Sequence, residues 1–110
     1  MQRVAMVRYK VKPEAVAENE ALAKAVFGRL HEERPEGIVY GLFKETDGVS
    51  FVHVFINLKE DNAAEVIDLP EFEAFTAGLS ERCSAPMEQV RLSVKQVDSY
   101  GLAAAELATA

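Results

Sequence analysis

Polar and apolar residues along this chain alternate in two rhythms, one of period two and one close to 3.6, and the switches between them mark out its elements. Residues 3–11 alternate, with Ala5, Val7, Tyr9 and Val11 on one side and Val4, Met6, Arg8 and Lys10 on the other, which predicts a strand. Pro13 follows where a helix would open, since its fixed φ suits the first turn and its missing N–H is not needed there. Val16, Ala23, Val26, Phe27 and Leu30 then recur at helical spacing, until Pro35 and Gly37 end the pattern. A second alternating run over residues 38–45 leads to Asp47-Gly48, a strong hairpin signal, and then to the third run, "SFVHVFIN". Centring the turn on Asp47-Gly48 pairs Lys44 with Phe51, Leu42 with His53, Tyr40 with Phe55 and Ile38 with Asn57. Opposed residues share a side of the sheet, so His53 shares its side with Leu42 and Tyr40.

Further on, Asn62 with Glu65 three residues later resembles a capping box. Pro70 opens a second helical piece whose buried stripe is Phe72, Phe75, Leu79 and Cys83. A fourth strand is expected over residues 87–97, with Val90, Leu92 and Val94 on one side. The order is β-α-β-β-α-β, a ferredoxin-like α+β fold in which four antiparallel strands lie in the order 2-3-1-4 with both helices on one face. One domain covers residues 1–101, and residues 102–110 form a tail. The helices are expected over the more uniformly apolar positions: Val7, Tyr9, Val39, Phe43, Val52, Val54, Ile56, Val90 and Leu92. The His53 side would then be bare and would show Val4, Met6, Ile38, Tyr40, Leu42, Phe51, Phe55 and Met87. Monomers rarely expose apolar patches beyond roughly 300–600 Å². A second copy packed sheet to sheet is the expected cover, giving a homodimer closed into an α/β barrel.

This order of elements, the opening "MVRYKVKPE" and the third-strand "FVHVFIN" resemble the dimeric α/β-barrel superfamily, in its antibiotic-biosynthesis monooxygenase-like branch. The resemblance runs over nearly the whole chain. It implies a homodimer with an internal cavity, and oxidation of a small phenolic or quinol substrate by molecular oxygen without a cofactor. Haem-degrading members carry a Trp together with Asn and His, and this chain has no Trp.

Composition narrows the partners. A net charge of −6, with no run of Lys or Arg, argues against nucleic acid. A single Cys excludes an intrachain disulfide and suits the cytoplasm. Charges interrupt "MQRVAMVRYKVK" too often for a signal peptide or a membrane span. Two distant histidines without spaced carboxylates make no metal set, and no Gly-rich phosphate loop follows a strand.

The expected inner face carries Arg8, Lys10, Lys44, Arg91 and Lys95 beside His53, Tyr40, Asn57, Gln89 and Ser93, with no Asp or Glu. The three lysines lie near strand ends, where their stems can carry the charge to solvent. Arg8 and Arg91 lie deeper, where they would bind a small anionic or aromatic molecule or pair with acids of a second copy. His53 is the candidate catalytic residue because histidine's ordinary pKa lies near neutrality and it is the one such group on that face. As a general base it would draw a proton from a phenol or an activated C–H. Arg8 or Arg91 would stabilise the resulting charge, and Tyr40 and Asn57 would orient the substrate. The competing reading makes His53 a satisfied core residue in a binding or carrier module of the same fold without catalysis. Cys83 reads as core and His31 as a charge at a helix end.

Overall fold

The alternating runs on either side of Asp47-Gly48 fold as the predicted hairpin, and its register is the expected one. The computed structural model describes residues 2–58, 66 and 68–100. In it β1 spans Arg3–Lys10, a short turn of 3-10 helix over Pro13–Ala15 leads into α1 (Val16–Glu33), and β2 (Ile38–Lys44) turns into β3 (Ser50–Asn57). Helices α2 (Pro70–Ala77) and α3 (Leu79–Arg82) precede β4 (Glu88–Leu92), a shorter strand than the alternation suggested. The sheet is antiparallel in the order β2-β3-β1-β4. The capping box at Asn62 and Glu65 and the tail from residue 102 lie outside the described residues.

Local chemistry accounts for the joints. In the β2–β3 turn, Asp47 accepts hydrogen bonds from the backbone N–H groups of Val49 and Ser50 and from the Ser50 hydroxyl, and Gly48 takes the left-handed φ of 79°. Such an Asp-Gly turn fixes loop length and hence register. Tyr40 therefore pairs with Phe55 and Leu42 with His53. The chain leaves α1 through Arg34, at φ 49°, ahead of Gly37 at φ 78°. The left-handed turn expected of Gly37 thus begins three residues earlier, because Pro35 disfavours a right-handed helical Arg34.

Over β2, β3 and β4 the helices cover the side opposite to the one expected, while on β1 they cover Val7 and Tyr9 as expected. Tyr9, Val11, Ala23, Val26, Phe51, Phe75 and Leu79 form the main core, with Val7, Tyr40, Leu42 and Phe72 packed against it. His53, 6% exposed, lies on that same covered side. Val39, Phe43, Val90 and Leu92 face away from the helices and are exposed. Two causes explain the inversion. Both sides of β3 are largely apolar, so burial preference does not separate them; the crossover between strands does, and its hand is a property of the backbone. No hairpin ties β1 to β3, so its phase was also unconstrained. Val7 pairs with His53 and Tyr9 with Phe51, which sends Met6 and Arg8 to the open face.

The acid-free inner face is corrected with it. Arg8 binds Glu45 at 2.6 Å and approaches Glu88 at 3.9 Å, while Lys44 pairs with Glu20 at 3.0 Å. Among the described residues no helix is long and apolar enough to cross a membrane.

Candidate functional site

Between the covered sheet face and the helices lies a cavity of about 310 Å³. Its floor is the β1 row Arg3, Ala5, Val7 and Tyr9, flanked by His53 and Phe55 of β3, Tyr40 of β2 and Gln89 of β4. Its roof is Val66 with Phe72, Phe75, Thr76, Leu79 and Ser80 from α2 and α3. The small Ala5 beside Phe55 leaves the room, since a larger residue there would fill the space between sheet and roof. An apolar hollow with a few convergent polar groups is the usual form of a small-molecule site.

The polar groups converge on His53. Its Nε2 lies 2.7 Å from the Tyr9 hydroxyl and its Nδ1 lies 2.8 Å from the Tyr40 hydroxyl, so both ring nitrogens are engaged. Aromatic rings enclose it, with Tyr9, Tyr40 and Phe75 centred 5.3, 5.8 and 5.5 Å away. Behind Tyr9 the network continues: Asn19 of α1 donates from Nδ2 to the Tyr9 oxygen at 3.1 Å. Arg82 of α3 donates from Nε to the Asn19 carbonyl oxygen at 3.1 Å and from a terminal nitrogen to the Phe75 carbonyl at 2.7 Å. The Arg82 guanidinium also lies 5.1 Å from the centre of the Phe75 ring. Asn19 is wholly buried, and Tyr9 and Arg82 nearly so. Among the described residues no carboxylate pairs with Arg82; neutral acceptors and a ring face hold its charge instead.

Burial sets the protonation states. It lowers the His53 imidazole to about 4, so the ring is neutral at pH 7. It pushes the Tyr9 phenol up to about 12, against the hydrogen bond from Asn19 and the field of Arg82, which act in the opposite direction. Tyr40 is raised as well, chiefly by burial. The site at rest is therefore two neutral phenols about a neutral imidazole.

The expected site residues divide. His53 and Tyr40 meet in the cavity wall. Asn57 is on their face of the sheet but lies paired with Arg3 and Ile38, fully buried and outside the lining. Arg91 is on that face too, opposite Ala5, and is exposed on the edge strand. Arg8 lies on the other face, in its ion pairs with Glu45 and Glu88. The expected row of His53, Arg8 and Arg91 does not form. Among the described residues the cation lining the cavity is Arg3, whose Nε is enclosed without a hydrogen-bond partner there.

Tyr9, Asn19 and Arg82 were missed. Asn19 and Arg82 had a signal in the pattern. Asn19 falls between Val16 and Ala23 on the apolar stripe of α1, and Arg82 lies seven residues after Phe75 and three after Leu79 on the stripe of the second helical stretch. A polar residue on a buried stripe requires a partner, and these two are each other's. Among the described residues no group of three or more His, Cys, Asp or Glu is placed to hold a metal ion.

Comparison with known proteins gives the fold its relatives. No family model matches the chain, and no curated protein matches it. Solved structures do. Rv0793 from Mycobacterium tuberculosis superposes with a TM-score of 0.69 at 20% identity, over 84% of this chain and 94% of that one. A Bacteroides thetaiotaomicron protein assigned by name to the antibiotic biosynthesis monooxygenases gives 0.71 at 19% identity, over 84% and 88%. A variant of SnoaB from Streptomyces nogalater, described as a cofactor-independent oxygenase, gives 0.63 at 21% identity, over 86% and 94%. The fold is the ferredoxin-like α+β fold of the antibiotic-biosynthesis monooxygenase-like structures, as the pattern of the chain implied.

Proposed function

We propose that the protein is a cytoplasmic, cofactor-independent monooxygenase acting on a small aromatic or quinol substrate held in the cavity over His53. The observation that carries this reading is a largely apolar hollow with a neutral imidazole between two phenols in its wall. A phenol and dioxygen give a quinone and water without another reductant: one oxygen atom bonds to the ring carbon, and the other leaves with two substrate hydrogens. The substrate supplies the electrons, so the protein's task is to favour its electron-rich anionic form. Tyr40, hydrogen-bonded to His53, does this by donating to the substrate oxygen in a largely apolar cavity, where such an interaction is strong. His53 remains the catalytic candidate, acting through the Tyr40 hydroxyl, which it turns toward the substrate oxygen, because both of its nitrogens are occupied. The solved relatives named as monooxygenases support the reading at the level of fold.

A second reading is a binding or carrier module. The low basicity of His53 and the saturation of its ring favour it. Oxygen uptake with a panel of naphthols and hydroquinones, using isotopically labelled dioxygen, separates the two. The oxygenase places one labelled atom in the product, and its rate falls at least tenfold in His53→Gln. Binding without uptake above the uncatalysed rate would leave the carrier.

The assembly we propose is a homodimer closed over the open sheet face. Val39, Phe43, Val90 and Leu92 are each more than a third exposed on that face, with Met6, Val52 and Val54 among them. A contiguous apolar surface of this kind marks an interaction site. Light scattering should give twice the chain mass, returning to one in Phe43→Glu. A stable wild-type monomer would overturn it.

A further inference from the structure

The network behind His53 has a direction, and its members set it one after another. Arg82 has only donors, so the group that Asn19 turns toward it must be the carbonyl oxygen. The Asn19 amide nitrogen therefore faces Tyr9 and donates to its oxygen. The Tyr9 hydroxyl has one proton, and among the described residues its one remaining partner is His53 Nε2. Nε2 must accept it. A neutral imidazole carries its single proton on the other nitrogen, so Nδ1 donates to the Tyr40 oxygen. The proton of Tyr40 then has no acceptor among the described residues, on a side chain that lines the cavity.

We infer that Arg82 and Asn19 are positioning residues that hold His53 as its Nδ1–H tautomer, so that Tyr40 presents a hydroxyl proton to the cavity and the site takes a ligand with an acceptor oxygen there. The chemical class is a quinone-like carbonyl or a phenolate, in preference to a ligand that offers only a donor or no polar atom at that point. This rests on the proposed cavity site but not on turnover, and it holds equally for an oxygenase or a carrier.

The test needs no substrate. In nitrogen-15-labelled wild type, long-range proton–nitrogen correlation should show His53 Nδ1 protonated and Nε2 unprotonated. Asn19→Asp is isosteric, keeps a partner for Arg82, and puts an acceptor where the amide donor was. Tyr9 would then donate to Asp, accept from Nε2–H, and oblige Nδ1 to accept from Tyr40. The tautomer should invert, which a merely structural role for Asn19 would not produce. The ligand class is read with 1-tetralone, a ketone with no donor, against tetralin, the same rings without the oxygen. The tetralone-to-tetralin affinity ratio should fall about three- to tenfold in Tyr40→Phe and in Asn19→Asp, the loss of one net hydrogen bond. A wild-type Nε2–H tautomer, a tautomer unchanged in Asn19→Asp, or a ratio unchanged in Tyr40→Phe would each overturn the inference. An expected tautomer in a protein that consumes no oxygen would sink the oxygenase and leave this assignment standing.

Discussion

The two faces of the sheet use polar and apolar residues in opposite ways. On the covered face, polar groups are deep and hydrogen-bonded to one another: Arg82, Asn19, Tyr9, His53 and Tyr40 form one chain of donors and acceptors. On the open face apolar groups are exposed, most of all on the edge strands β2 and β4, while the charges of Arg8, Glu45 and Glu88 pair with one another. The difference separates two functions. A buried polar chain without carboxylates costs stability unless every member is satisfied, and it earns its place by setting proton positions beside a cavity. The exposed apolar sheet is the surface on which we propose that a second copy packs.

If that contrast is right, mutations of equal chemical severity should differ greatly between the faces. Arg82→Ala should be the most damaging, lowering unfolding free energy by about 4 kcal/mol. It orphans the Asn19 and Phe75 carbonyls and removes the packed guanidinium stem. Urea denaturation followed by circular dichroism measures this. A loss within about 0.5 kcal/mol, the level of an ordinary surface substitution, would show that the chain is not a structural unit.

Acid should act next most strongly. The folded-state pKa of His53, about 4, lies below the ordinary value of 6.5, so the unfolded chain binds this proton more readily. The stability tied to its neutral form is fully present above pH 6.5 and is lost as pH falls toward 4. The full loss is on the order of 3 kcal/mol. Urea midpoints at several pH values from 7.5 to 4 check it, with His53→Gln as the control in which that slope disappears. Asp47 gives a separate, lower window. Its hydrogen bonds in the turn hold it at about 2, so its contribution fades only as pH falls through the range between about 4 and 2.

Tyr9→Phe should cost about 1–2 kcal/mol, because it leaves His53 Nε2 and the Asn19 amide without their partner. The urea midpoint reports it, and amide exchange in α1 should quicken near Asn19. Arg8→Ala should be the mildest, moving the urea midpoint no more than an ordinary surface substitution, since Arg8 is half exposed and its ion pairs are screened by solvent. A larger cost for Arg8 than for Tyr9 would reverse the comparison.

The pattern of residues was enough for some of this and silent on the rest, for physical reasons. The β2–β3 register was legible because Asp47-Gly48 ties it to a turn of fixed length. The phase of β1 was not, because β1 joins β3 only across the sheet, and a shift of one residue exchanges every side chain between faces. With Val52, Val54 and Ile56 facing Phe51 and Phe55 across the strand, hydrophobicity gave no vote on which face the helices cover. His53 and Tyr40 were legible together because the hairpin places them on one side. Arg8 and Arg91 were placed at the site by strand alternation and charge, and neither reports depth. Asn19 and Arg82 were not singled out, although their spacing puts them on the buried stripes.

The central claim is that a small molecule belongs on the helix-covered face and a macromolecular partner on the open one. Titrating 1-naphthol into labelled protein and following backbone and side-chain NMR signals tests this most directly. Saturable shifts are expected at Ala5, Tyr40, His53, Phe55 and Phe75, with Val39, Phe43, Val90 and Leu92 unmoved. Shifts confined to the open-face residues, with His53 and Phe75 silent, would contradict it.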